Sequence, residues 1–138
     1  MRVCVIDGQG GGMGAVVIKA LRSAWGEEVE VWALGTNAVA TAQMMKAGAN
    51  RGASGENAIC VSAPRCDAIV APMSVIVPNA MMGEVTPRLA AEVAGCGSRK
   101  FLLPLTQEPL EVVGVVMEPL PHLVEKLVQR LKEHMSHV

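Results

Sequence analysis

Residues 3–6 (Val3, Cys4, Val5, Ile6) form a short, unbroken apolar run, the pattern of a strand buried on both faces. A polar and glycine-rich stretch, Asp7-Gly8-Gln9-Gly10-Gly11-Gly12-Met13-Gly14, follows it, and Ala15 to Arg22 reads as a helix closed by Trp25-Gly26. Glu30 to Leu34 predicts a second strand. The next helix starts from a cap at Thr36 or Asn37, runs through Lys46-Ala47 and stops at Gly48. Ile59-Cys60-Val61 could extend as a strand, but the next strand, Ala68 to Ala71, begins only a few residues later. Parallel neighbours need a crossover of about a dozen residues. The preferred reading is a short strand near Asn50 to Ala53 and a helix from Gly55 to Arg65 capped by Ser54, with Pro64 working against its far end.

Pro72 ends the fourth strand, and residues 72–83 make a long apolar connection. A helix from Glu84 or Thr86 to Ala94 follows, with Pro87 in its first turn, and Phe101 to Leu103 is the fifth strand. Thr106 to Pro109 is too short for a crossover, so Glu111 to Val116 is expected to fold back as an antiparallel edge strand. The last helix, Pro121 to His134, places Leu123, Val124, Leu127, Val128 and Leu131 on one face and charged residues on the other. Strands alternating with helices, with no repeat or linker, predict one α/β domain: a Rossmann-like, doubly wound, mostly parallel sheet.

Composition narrows the function classes. The chain has 138 residues, 51% of them hydrophobic, and a formal net charge of −1. It lacks a basic stripe, and its aromatics are only Trp25, Trp32 and Phe101, which argues against nucleic acid as a partner. No apolar run approaches the ~18 residues that span a bilayer. No cleavable leader is visible, so the expected location is cytoplasmic. Cys4, Cys60, Cys66 and Cys96 show no C-x-x-C pairing and are expected as buried free thiols.

The glycine stretch is the chief functional signal. Strand, glycine loop and helix N-terminus make an anion site, because glycine permits close approach and the first helical N–H groups are free. Gly8, Gln9, Gly10, Gly11, Gly12, Met13 and Gly14 are therefore expected to hold a phosphate-bearing small molecule, most often a dinucleotide. Gly10, Gly12 and Ala15 satisfy G-x-G-x-x-A, and Gly8, Gly12 and Gly14 satisfy a G-x-x-x-G-x-G variant. The structural alternative is a tight strand–helix turn and nothing more. No acid stands at the end of the second strand to hold the ribose of NAD. Thr36 and Asn37 are there instead, as helix caps or as partners of a ribose hydroxyl or 2′-phosphate, so NADP is slightly favoured over NAD. No Gly-Lys-Ser/Thr follows the loop, which excludes a P-loop.

The rim above the sheet is expected to carry Asp7, Gln9, Thr36, Asn37, Ser54, Glu56, Asn57, Ser74, Asn79, Thr106 and Gln107. Glu56, Asp7 and Asn79 are the candidates for catalysis or substrate contact, the carboxylates as proton carriers. The chain has no tyrosine, which rules out the Tyr-x-x-x-Lys mechanism of short-chain dehydrogenases. No histidine is placed to serve a rim serine, and His134 with His137 reads as an exposed tail rather than a metal site. The methionine-rich segment from Met73 to Met82 is expected either to cover the crevice or, preferably, to pack against a second copy in a homo-oligomer.

Several stretches resemble a small bacterial family of domains of unknown function. They are Val5-Ile6-Asp7-Gly8-Gln9-Gly10-Gly11-Gly12, Ala33-Leu34-Gly35-Thr36-Asn37-Ala38, Gly48-Ala49-Asn50-Arg51-Gly52-Ala53, Gly55-Glu56-Asn57-Ala58, Met82-Gly83-Glu84-Val85-Thr86-Pro87 and Leu120-Pro121-His122-Leu123. The resemblance covers nearly the whole chain and implies a stand-alone Rossmann-like domain without an assigned activity. Two readings result: an NAD(P)- or related nucleotide-binding protein, either oxidoreductase or nucleotide sensor, and a non-enzymatic scaffold that binds through its apolar 73–82 loop. A third is an enzyme of this fold using Glu56 or Asp7 as base without nicotinamide.

Overall fold

The computed structural model describes residues 1–136. Its strands are β1 (Arg2–Asp7), β2 (Glu30–Gly35), β3 (Arg51–Ser54), β4 (Ala68–Pro72) and β5 (Arg99–Leu103). Its helices are α1 (Gly12–Trp25), α2 (Ala38–Lys46), α3 (Glu56–Ser62), α4 (Pro87–Gly95) and α5 (Leu120–Met135). The five strands form one sheet in the order β3-β2-β1-β4-β5, every pair parallel. That is the order of the first five strands of a doubly wound Rossmann sheet, with its switch point between β1 and β4.

The β1 pattern explains the layering. Val3 and Val5 point into a cluster with Val17, Ile18 and Leu21 of α1 and with Leu123, Leu127 and Leu131 of α5. Cys4 and Ile6 point the other way, toward Ile59 of α3, Val75, and Leu89 and Val93 of α4. Period-two alternation with both sets apolar is what a central parallel strand requires. The final helix buries Leu123, Val124, Leu127 and Leu131 of the expected apolar face and leaves Val128 half-buried.

Local signals act as read at several boundaries. Asn37, one of the two residues expected there, caps α2 by accepting from Ala40 N at 2.8 Å; Thr86, expected only as a possible start of the helix, caps α4 by accepting from Leu89 N at 3.2 Å. The third helix is shorter than expected: it ends at Ser62, and Pro64 lies in a 3₁₀ turn over Ala63–Arg65. Gly55 rather than Ser54 stands at its N-cap, while Ser54 Oγ pairs with Thr41 Oγ1 at 2.7 Å. All four cysteines are free, with Cys96 half-buried and the others buried.

Two expectations are corrected. The antiparallel edge strand over Glu111–Val116 does not form, and among the described residues β5 pairs with β4 alone. Gly114 adopts a φ of 91°, and Val115 N donates to Val112 O, so a turn sits in the middle of the run. The side chains of 111–117 are exposed, Val113 at 95%. The 73–82 segment, by contrast, largely joins its own domain. Met73–Ile76 is a 3₁₀ turn, and Val75 and Ala80 are fully buried, leaving Met82 as its bare apolar side chain. Among the described residues no helix is long and apolar enough to cross a membrane. His137 of the His134–His137 pair lies outside the described residues.

Candidate functional site

The carboxyl end of β1 delivers Asp7 directly beneath the glycine loop. Its side chain is 5% exposed. One carboxylate oxygen accepts from Gly8 N and the other from Gly14 N, both at 2.8 Å. Burial pushes the Asp7 pKa up, and the two amide hydrogen bonds only partly offset it; the nearby Glu84 adds to the rise. The loop is thus closed from below by an internal carboxylate that ties strand end to helix start.

The remaining amides of the loop divide clearly. Gly11 N donates to Gly8 O, and Gln9 N donates to Glu84 Oε1 at 2.8 Å. The amides of Gly10, Gly12 and Met13 make no hydrogen bond among the described residues. They stand at the positive end of α1, where an anion is favoured.

The glycines divide in the same way. A Cβ on Gly11 would lie 2.7 Å from the Ala40 carbonyl oxygen, and its φ is +75°. A Cβ on Gly14 would lie 2.5 Å from Met44 Sδ, and one on Gly8 would lie 2.5 Å from both Met81 Sδ and Thr36 Oγ1. Those three glycines are explained by packing. Gly10 and Gly12 have nothing within 4 Å of such a Cβ and no positive φ. Packing does not explain them, and they leave the loop's outer face bare.

A crevice of about 480 Å³ opens at the ends of β1 and β4, and of the loop's residues Gln9 and Met13 line it. That volume lies within the ~300–1,000 Å³ of small-molecule sites. Asp7, Gln9 and Met13 form one wall, Pro72 and Ser74 the floor, and Met81 and Met82 a flap. Leu105 to Glu108 close the far side. Ser74 Oγ donates to Leu105 O at 3.3 Å, and Met81 N donates to Glu108 Oε1 at 3.3 Å, so floor, flap and far wall are joined. No Lys or Arg lines the crevice.

Of the residues proposed from sequence, Asp7, Gln9, Met13, Ser74, Thr106 and Gln107 meet in this crevice. Thr36 and Asn37 do not line it. Both donate to Glu84 Oε1, Thr36 Oγ1 at 2.6 Å and Asn37 Nδ2 at 2.8 Å. Glu56 stands apart, paired with Thr86 and with Arg88 at 3.5 Å. Asn79 is an exposed turn residue with a φ of 67° whose N–H donates to Val85 O. Glu84 was missed as a site residue, although it is the one acid between Asp67 and Glu92. Its contact with Gln9 spans 75 positions, beyond the reach of any local pattern. Glu108 was missed too, because its place follows from the path of residues 104–119.

A solved structure shares this fold: a dodecameric FMN-dependent UbiX-like decarboxylase from Escherichia coli O157:H7. Its TM-score is 0.50, with 16% identity over 99% of this chain and 95% of that one. At that identity the likeness concerns the fold. The expectation of NADP or NAD as cofactor is corrected here. The structural neighbour is FMN-dependent, and the Thr36 and Asn37 side chains, assigned to a nicotinamide dinucleotide's ribose or 2′-phosphate, already serve Glu84. No curated protein matches the chain. Residues 2–136 match one family throughout, and the chain belongs to it: Domain of unknown function (DUF3842).

Proposed function

We propose that this chain binds a phosphate-bearing mononucleotide in the β1/β4 crevice, with FMN the first candidate. The observation that carries the reading is the bare outer face of the loop, where Gly10, Gly12 and Met13 offer three amides without a partner among the described residues and Met13 lines a cavity of ligand size. The phosphate sits on those amides. The ring system lies against Pro72, Met81, Met82 and Leu105, which are apolar and, at the methionines, adaptable. Ser74, Thr106 and Gln107 supply the polar contacts that orient it. FMN, when bound, supplies a ring that takes up or gives electrons. The FMN-dependence of the fold neighbour favours this choice among mononucleotides. Of the two candidate proton carriers, Asp7 and Glu56, only Asp7 borders the crevice, and its raised pKa suits that role.

A thermal-shift panel with FMN, riboflavin, ATP, NAD and NADP tests the reading. FMN at 100 times its dissociation constant is expected to add ~2.7 kcal/mol, several degrees for a domain of this size. Riboflavin, lacking the phosphate, is expected to shift far less. No shift with any phosphate-bearing ligand, or equal shifts with riboflavin and FMN, contradicts it.

The protein is also proposed to self-associate. The exposed apolar run Leu110, Val112, Val113, Val115, Val116 and Met117 is more than a monomer ordinarily leaves bare, and the fold neighbour is a dodecamer. Sedimentation of wild type against a Val113→Asp/Val116→Asp variant checks it. The expected outcome is an oligomer that the variant dissociates; a monomeric wild type contradicts it. The scaffold reading through residues 73–82 loses ground, since that segment mostly packs inward.

A further inference from the structure

The crevice is open on the β4 side of the glycine loop and filled on the β2 side. In a dinucleotide-binding sheet of this strand order, one nucleotide lies over each side, and the ribose on the β2 side meets the end of β2. Here that position belongs to Glu84. Its Oε1 accepts from Gln9 N at 2.8 Å, from Thr36 Oγ1 at 2.6 Å and from Asn37 Nδ2 at 2.8 Å. Met81 lies beside it, and together with Thr36 the two leave no space above Gly8 even for a Cβ.

The segment carrying this plug is built rather than loose. Asn79 N donates to Val85 O at 2.7 Å, Val85 N to Ala80 O at 3.1 Å, and Met81 N to Glu108 at 3.3 Å. Asn79, Met81 and Met82 adopt φ values of 67°, 57° and 56°, a left-handed conformation that non-glycine residues take only when their surroundings impose it. Charge works in the same direction. Burial opposes ionisation of Glu84, but its hydrogen bonds from Thr36, Gln9 and Asn37 prevail and hold its pKa below the ordinary carboxylate value.

We infer that Glu84 sets the size class of the ligand: with Met81 beside it, it fills the space over Gly8 on the β2 side of the loop and restricts the site to mononucleotides. The inference rests on the mononucleotide reading above and names the residues that enforce it. Dinucleotide exclusion is then a property of the 79–86 segment, independent of the glycine motif itself.

FMN and FAD make a matched test, because FAD is FMN extended by an adenylate. The measurement is the affinity of each for wild type, Glu84→Ala and Glu84→Gln, by flavin fluorescence titration. Wild type is expected to favour FMN strongly. Glu84→Ala is expected to shrink the FMN:FAD preference by ~10-fold or more, equivalent to about 1.4 kcal/mol. Glu84→Gln keeps the Oε1 acceptor and is expected to keep most of the preference. Amide exchange at Gln9 serves as a readout without ligand and should quicken in Glu84→Ala. If wild type binds FMN but Glu84→Ala leaves the preference unchanged, this inference falls and the mononucleotide reading stands. An equal loss in Glu84→Gln overturns the packing basis, as does unchanged exchange at Gln9. If neither flavin binds wild type or variant, the mononucleotide reading itself falls, and this inference with it.

Discussion

The two sides of the glycine loop are made from the same seven residues and behave as opposites. Toward β2 and α2, Gly8, Gly11 and Gly14 meet Thr36, Ala40 and Met44 so closely that a side chain has no place, and Glu84 caps the contact. Gly10 and Gly12 have open space where a Cβ would stand, and beside them Gln9 and Met13 line a crevice of about 480 Å³ toward β4. A glycine motif therefore carries two kinds of glycine. One kind is required by packing and the other leaves room for something that is not part of the chain, and the motif's spacing does not distinguish them.

Gly11→Val should break the packed side outright. The new Cβ meets the backbone of Ala40, and a β-branched residue is forced to a φ near 75°. We expect about 3 kcal/mol or more of destabilisation, read from the urea midpoint. Asp7→Asn is next. The amide keeps one acceptor oxygen but turns an NH₂ toward an N–H of the loop, and a buried unsatisfied donor costs about 1–3 kcal/mol. Gly12→Asp sharpens the contrast from the open side. It is expected to change stability by no more than about 0.5 kcal/mol, while weakening FMN ~10-fold or more by placing a carboxylate where the phosphate sits. A Gly12→Asp protein that unfolds, or that binds FMN undiminished, erases the division.

The smallest effect lies in pH dependence, and there the two carboxylates oppose each other. Glu84 has a depressed pKa when folded, so its stabilising contribution is present above the ordinary Glu value of about 4.3 and is lost as pH falls through the folded value. Asp7 has a raised pKa, so its ionisation lowers stability as pH rises from about 3.9 to the folded value. Stability against pH for wild type, Glu84→Gln and Asp7→Asn should show slopes of opposite sign removed by the two substitutions. Slopes of the same sign contradict the pairing.

Much of the scaffold was legible from local pattern. The two-sided burial of β1, the apolar stripe of α5 and the cap at Asn37 each follow from residues within one element or at its edge. The failed edge strand shows the limit. Val112, Val113, Val115 and Val116 have strand propensity, but Gly114 turns the chain between them and β5 receives no partner from this segment. The site was legible only in part, because Asp7, Gln9 and Met13 flank the motif whereas Glu84 and Glu108 reach it through tertiary contacts. Glu56 shows the converse: a carboxylate on the rim by sequence becomes a partner of Thr86 and Arg88 in the fold.

The central claim is that the free amides of the open side receive a phosphate. Titrating ¹⁵N-labelled protein with FMN and, separately, with riboflavin reads those amides individually. The account predicts saturable FMN-induced shifts concentrated at Gly10, Gly12 and Met13, with riboflavin leaving these three nearly unmoved. FMN binding that perturbs other residues and spares these amides, or no binding at all, would contradict it.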